Sequence, residues 1–463
     1  MMPLTLEEIR KAANAEVQCM LPGVVVKRVH TDSRTVQADD LFIALEGKKF
    51  DGHAFVGGAI RRGAVAAIVS RPLEGQEVPE DFPILHVGNT LTALGDIARY
   101  YLSHMSARII AVGGSNGKTT TKDMIAHILS KDRRVVKSPR SFNNDIGLPL
   151  TALTVSEDTE YAVLEMGTNA PREIANLCSI APPHVGVLTS ISEEHLEGLV
   201  DLPGVARANG ELLDALSESN FAVLNKDNKW IAQLMRRCKA RIVTFGVYSD
   251  ANVRGAEILT DSNKLSFVLQ GRHHVDMRVL GSWNVYNALA ATAVANLEGV
   301  ELAEIAGRLA DFKPPSMRME PVTMRNIDFI NDAYNANPRS MSMAIDEFLR
   351  TETPARKILV LGDMCELGGE SRGFHEKLGE RLADADAHAV FLYGREMRFA
   401  MERASLLKRK NFHLVHFFEA AELTGAVYEY LKEGDLVLLK GSRAMELERV
   451  LEPFKCATRK LSV

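Results

Sequence analysis

Cysteine is scarce and unpatterned in this sequence. The five present, Cys19, Cys178, Cys238, Cys365 and Cys456, are odd in number, far apart and never in a C-x-x-C spacing, so neither a disulfide framework nor a zinc knuckle is supported. Long apolar runs are missing too. None reaches the ~18 residues of a membrane span, and the opening MMPLTLEEIRKAANAEV carries no apolar core of a signal peptide. No membrane insertion and a cytoplasmic location are expected. Positive charge is not in surplus either, since 55 Lys and Arg stand against 60 Asp and Glu for a net charge of −5. A general footprint for nucleic acid or anionic lipid is thereby excluded. The chain also lacks internal repeats and low-complexity stretches.

What remains is an ordinary globular composition, 46% apolar and 25% charged, over 463 residues. At roughly 150 residues per domain this length suggests three domains. The texture changes near residue 105, where strand-like and helix-like segments begin to alternate, the pattern of an α/β fold. Arg108 to Val112 reads as a buried strand, Gly113 to Gly117 as a turn, and Thr119 to Ser130 as a helix with Met124, Ile125, Ile128 and Leu129 on one face. Further strands are expected over Tyr161–Met166, His184–Ile191, Phe221–Leu224 and Ile242–Phe245. A second break falls at Phe312-Lys-Pro-Pro-Ser316, where paired prolines favour an extended linker. Beyond it, apolar runs at Ile327–Ile330, Ile358–Leu361, Ala389–Leu392, Leu414–Phe417 and Leu436–Leu439 suggest a second parallel sheet. The expected domains are 1–104, 105–314 and 315–463.

Gly113-Gly-Ser-Asn-Gly-Lys-Thr-Thr120 lies between a strand and a helix, where a glycine loop can wrap phosphates with backbone N–H groups. Gly114, Ser115, Asn116, Gly117 and Thr120 would form the cradle, Lys118 would reach the outer phosphates, and Thr119 would offer a hydroxyl to Mg²⁺. The strict G-x-x-x-x-G-K-[ST] pattern is not met, because Val112 stands where its first glycine belongs. Glu165 ends a neighbouring strand, which suits a metal-binding carboxylate. His195, in Ile191-Ser-Glu-Glu-His-Leu-Glu197, follows another strand and is a candidate metal ligand or a structural histidine. Asn284 and Asn287 open an Ala-rich helix, where their amides can read a base edge or simply cap the helix.

These pieces in this order, together with Thr31-Asp-Ser-Arg34, Asp40-Leu-Phe42, Phe50-Asp-Gly-His53, Asn331-Asp-Ala-Tyr-Asn-Ala-Asn-Pro338, Leu361-Gly-Asp-Met-Cys-Glu-Leu-Gly368 with His375, and Leu439-Lys-Gly-Ser-Arg443, resemble the Mur ligase family of ATP-dependent amide ligases. The resemblance spans nearly the whole chain. It implies a mixed α/β N-terminal domain for a UDP-sugar, a central P-loop ATPase-like parallel-sheet domain, and a C-terminal Rossmann-like domain that closes on the nucleotide and takes the amine. Its last three motifs are those of the branch that joins D-alanyl-D-alanine to UDP-N-acetylmuramoyl-tripeptide through an acyl phosphate, in peptidoglycan precursor synthesis. The cofactors implied are ATP and Mg²⁺, and a monomer is expected. By the same resemblance Lys118, Glu165 and His195 are catalytic, and Thr119, Glu165 and His195 hold metal. Asn284, Arg318 and Asp332 approach the nucleotide, while Ser33, Arg34 and Asn337 bind substrate.

Some positions depart from the family pattern. Gly113 replaces a Thr, Trp283 a His and Ser192 a Gly. Asn209 stands where the family has a lysine whose carbamate supports a second metal, and Glu194 is a candidate substitute. Two other readings stay open: a folylpolyglutamate synthase-like ligase, against which the N-terminal Asp-Ser-Arg segment argues, and a catalytically altered nucleotide-binding regulator, motivated by Asn209.

Overall fold

Alternating apolar residues in the strand Arg108–Gly113 face two different cores. Ile109 and Ala111 pack into one buried cluster and Ile110 and Val112 into another, so this strand is covered on both faces, as strands of a parallel sheet are. The same division holds in Tyr161–Glu165, with Ala162 and Leu164 on one side and Tyr161 and Val163 on the other. The computed structural model describes residues 1–455 except 18, 20, 48, 49, 262, 263 and 408–411. Cys456 lies outside the described residues, and Cys19, Cys178, Cys238 and Cys365 form no disulfide. Among the described residues no helix is long and apolar enough to cross a membrane.

Three main sheets follow one another along the chain. The N-terminal one has five strands, ordered Glu16–Val17, Ile84–His86, Ala64–Val69, Asp40–Ile43 and Arg28–His30. The central sheet has nine strands. From one edge, Val135–Lys137, Tyr161–Glu165, Arg108–Gly113, Val185–Leu188, Phe221–Asn225, Arg241–Gly246 and the start of Val253–Asp261 run parallel. Lys264–Leu269 and His273–Met277 then extend it antiparallel. The third sheet has six strands, with Ile327–Asp332, Leu436–Lys440, Lys357–Gly362, Ala389–Tyr393 and His413–Phe417 parallel and Glu320–Met324 antiparallel at its edge. Each strand expected from the sequence forms within a few residues. The antiparallel extension and the antiparallel edge strand are additions to the expected parallel sheets. The paired prolines lie in the connection between the helix Leu302–Ala310 and the strand Glu320–Met324.

Register places the chemistry. Arg108–Gly113 lies between Tyr161–Glu165 and Val185–Leu188, with Val112 opposite Glu165 and Gly113 opposite Leu188. The loops leaving all three strands therefore meet at one sheet edge, where the strand order reverses, the usual ligand crevice of such sheets. Behind that edge the helix Asn284–Leu297 packs on the helix Lys118–Leu129. Ala288, Ala290, Ala291, Ala293 and Ala295 are all fully or almost fully buried there, and their small side chains permit the close approach. Ala291→Leu should lower stability by about 1–3 kcal/mol through overpacking, measured by urea unfolding.

Candidate active site

The loop from Gly113 to Lys118 turns sharply because Gly114 and Gly117 adopt φ of +119° and +86°, conformations that side-chain-bearing residues avoid. Space is equally restrictive. A Cβ on Gly114 would lie 2.4 Å from Thr189 Oγ1, and one on Gly117 would lie 2.2 Å from Asn287 Oδ1. Hydrogen bonds hold the loop against the segment after Val185–Leu188. Ser115 Oγ donates to Ser192 O at 3.0 Å, and Asn116 Nδ2 donates to Ser192 Oγ at 2.8 Å. The serine that departs from the family pattern thus uses its hydroxyl to fix Asn116.

Lys118 begins the helix and folds back, donating to Gly114 O at 2.6 Å with Glu194 Oε2 3.7 Å away. Thr119 Oγ1 sits 3.1 Å from Ser141 Oγ and accepts from Arg318 Nη2 at 3.0 Å. Glu165 is buried. Its Oε1 accepts from Asn143 Nδ2 at 2.9 Å, while Oε2 is buried without a hydrogen-bond partner, 3.8 Å from the ammonium of Lys122. A half-satisfied buried carboxylate is costly unless a cation completes it, so the donor chemistry fits a metal ion. Among the described residues no group of three or more His, Cys, Asp and Glu side chains could hold a metal ion.

His195 follows its strand across a short loop. The strand ends at Leu188, and His195 precedes the one-turn helix Leu196–Leu199 with φ +48°. Its Nε2 lies 4.0 Å from Glu194 Oε2 and its Nδ1 2.5 Å from Glu366 Oε2. The latter contact lacks hydrogen-bond alignment, since Nδ1 has no hydrogen-bond partner. Contact with His195 still holds the Glu366 carboxyl below its usual range. Glu194 and His195 share one side of the site. Asn209 is buried, with its amide donating to Val205 O in its own helix at 3.0 Å, and it does not border the cavity.

A cavity of about 1480 Å³ collects Ser115, Asn116, Gly117, Lys118, Thr120, Glu165, His195, Asn284, Arg318, Asp332 and Asn337. Gly114 and Thr119 lie behind this lining in the same loop and helix. Asn284 is not a helix cap: Trp283 occupies that position without a side-chain cap bond, and Asn284 Nδ2 donates to Leu280 O at 2.7 Å. Asn287 donates to Asn284 Oδ1 at 2.8 Å and accepts from Thr121 Oγ1 at 3.2 Å, so it braces the glycine loop. Beyond the linker, Arg318 stacks over Tyr334 with 4.1 Å from Cζ to the ring centroid. Asp332 accepts from Lys440 Nζ at 2.6 Å and from Met319 N at 3.1 Å. Asn337 caps the helix Pro338–Arg350 and donates to Asn116 Oδ1 at 3.0 Å. Ser33 and Arg34 stand apart from this cavity, on an exposed turn where Arg34 pairs with Asp32 at 2.7 Å.

Sequence reasoning missed Lys122. Fully buried one turn after Lys118, it donates to Ser138 O at 2.7 Å and Arg140 O at 2.6 Å, and burial lowers its pKa. It pins the segment carrying Ser141 and Asn143 beside Thr119 and Glu165. The only sequence signal was its i+4 spacing from Lys118.

A phosphate-type loop and a strand-end carboxylate that share one cavity with residues of the third sheet define a phosphate-binding α/β architecture, and family comparison agrees. In chain order, residues 25–102 match the Mur ligase family catalytic domain, 112–295 the Mur ligase middle domain and 317–443 the Mur ligase glutamate ligase domain. The chain belongs to the Mur ligase family. It is 37% identical over 430 residues to the UDP-N-acetylmuramoyl-tripeptide--D-alanyl-D-alanine ligase of Bacillus subtilis (strain 168), covering 92% of this chain and 93% of that protein. With the enzyme of the same name from Escherichia coli (strain K12) it shares 33% identity, covering 98% and 99%. Among solved structures, MurF from Acinetobacter baumannii superposes with a TM-score of 0.88 at 30% identity, covering 98% and 99%. MurF from Thermotoga maritima, in complex with ADP, gives 0.81 at 30% identity, covering 94% and 98%.

Gly117→Ala should destabilise by more than ~1 kcal/mol, because alanine is strained at positive φ. Part of that loss comes from collision with Asn287, so the substitution should cost less in an Asn287→Ala background. A double-mutant cycle by chemical denaturation checks this.

Proposed function

We propose that this chain is an ATP-dependent ligase that joins D-alanyl-D-alanine to UDP-N-acetylmuramoyl-tripeptide in cytoplasmic peptidoglycan precursor synthesis. The observation that carries this reading is near-full-length identity of 37% and 33% with two enzymes named for that reaction. The N-terminal domain holds the UDP-sugar, the central domain the ATP, and the C-terminal domain the amine.

A carboxylate is a poor electrophile and must be activated. An oxygen of the tripeptide's terminal carboxylate bonds to the γ-phosphorus of ATP, and ADP leaves. The amine nitrogen of D-alanyl-D-alanine then bonds to the acyl carbon, phosphate leaves, and the amine gives up a proton. Several anions must therefore be gathered in one place. Backbone N–H groups from Gly117 to Thr119 and the ammonium of Lys118 receive the phosphates, with Lys118 exchanging Gly114 O for a phosphate oxygen, while Ser115 N and Asn116 N are already spent on Ser190. Mg²⁺ would be held by Glu165 and Thr119, with a second metal near His195, and would offset charge on the transferring phosphoryl group. Asn284 contacts the adenine, while Arg318 and Asp332 reach the nucleotide across the cleft. Asn337, by gripping Asn116, helps close the site and exclude water from the acyl phosphate.

Phosphate release from ATP should require both UDP-muramoyl-tripeptide and D-alanyl-D-alanine, and L-glutamate as the preferred amine would refute the reading. Lys118→Ala should lower kcat by at least ~10²-fold, since a preorganised cation on a transferring phosphoryl group is worth a few kcal/mol. Arg34→Ala should instead raise KM for the UDP-tripeptide and leave kcat nearly intact, as expected when binding is lost equally from ground and transition states.

A further inference from the structure

The motif Leu361–Gly368 ends in a loop that reaches into the central domain. Its back is fixed within the C-terminal domain. Met364 N donates to Nε2 of the fully buried His375 at 3.2 Å, and Cys365 N donates to Ser442 Oγ at 2.8 Å. Its tip is Glu366, which grips the His195 turn at two points. The carboxylate lies 2.5 Å from His195 Nδ1, and the carbonyl accepts from Glu197 N at 3.2 Å. Gly368 packs beside the same turn so closely that a Cβ on it would stand 3.2 Å from Glu197 Cα.

The gripped turn is strained. His195 has φ +48°, and Val200 at its far end has φ +71° and ψ −57°, a conformation costly for a β-branched residue. Val200 is 74% exposed, so its own burial does not offset that cost. Gly198 fills the middle with no room to spare, as a Cβ there would lie 2.0 Å from Asn169 O. Strain of this kind persists only where surrounding contacts over-determine it, and Glu366 supplies two of them from another domain.

We infer that Glu366 is a positioning residue: docking of the C-terminal domain brings its carboxylate and carbonyl onto the His195 turn, and this fixes the imidazole beside Glu194 and Lys118. Bond making then occurs with His195 in place only when the domain carrying the amine has docked. The kinetic arm of the test rests on the ligase reading; the labelling arm does not.

Glu366 itself has φ +63°, so Glu366→Gly removes the side chain without backbone penalty, and Glu366→Gln keeps its shape and polarity. In phosphate-release assays Glu366→Gly should lower kcat ~10–100-fold, the usual effect of losing a group that orients a ligating histidine. KM for the UDP-tripeptide should change by less than about twofold, and Glu366→Gln should recover most of the loss. In nucleotide-free protein, carbethoxylation of His195 by diethyl pyrocarbonate, read by mass spectrometry against the exposed His274, should be several times faster in Glu366→Gly than in the wild type. Wild-type kcat in both variants overturns the inference, as does an effect confined to KM or unchanged labelling of His195. If the wild-type protein releases no phosphate with these substrates, the ligase reading fails, and the labelling still decides whether Glu366 clamps the turn.

Discussion

The site depends on a backbone loop that comes close to two neighbours at once, Thr189 and Asn287. Gly114 and Gly117 leave Thr189 and Asn287 where their own Cβ atoms would be, so the loop's N–H groups can converge without side chains in the way. That closeness requires the neighbours to be fixed. Thr189 Oγ1 donates to Asn116 O at 2.6 Å, and Asn287 is held by Asn284 and Thr121. The helix carrying both asparagines packs close in part because five of its buried residues are alanines. Packing in the core and curvature of the loop are therefore one constraint.

Charge is arranged around this loop in alternation. Lys122 stands near Glu165, Lys118 near Glu194, and Glu194 near His195, which meets Glu366. Isolated charges at such burial would be expensive, but each here has an opposite or polar neighbour. Glu165 Oε2 has the Lys122 ammonium 3.8 Å away but is buried without a hydrogen-bond partner. An unsatisfied anionic oxygen at the edge of a phosphate-type loop is where a cation gains most, and this oxygen is the strongest reason to expect one.

Much of this was legible in the sequence because it is local. The strand, glycine turn and helix around Lys118 follow from hydrophobic period and residue type, and the paired prolines mark the linker. Glu165 could be placed because a strand-end carboxylate has few places to go. The antiparallel extension was harder: Val253–Asp261 is mostly exposed, so its apolar pattern is faint. Asn284 and Asn287 could not be separated from caps by spacing alone, as a three-residue interval suits both roles. Lys122 could not be singled out, because the carbonyls of Ser138 and Arg140 that satisfy it belong to another segment. Contacts such as Asn116 with Asn337, 221 residues apart, leave no trace in local pattern. The family resemblance, not local pattern, pointed to Arg318 and Asp332, which line the same cavity as the glycine loop.

The chemistry explains why such long-range contacts belong at the site. An acyl phosphate is destroyed by water, so a ligase gains from assembling its last groups only after the substrates are in place. Arg318 on Thr119, Asn337 on Asn116 and Glu366 on the His195 turn each join the C-terminal domain to an element of the phosphate loop or its neighbours. None of the three is a large apolar interface. Polar contacts of this kind contribute little net free energy each, so docking can be reversed between turnovers while still setting side-chain positions when made. Arg318 also fills one of the two acceptor positions on the Thr119 hydroxyl in this arrangement, so a metal ion on that oxygen would share it with the arginine or displace it.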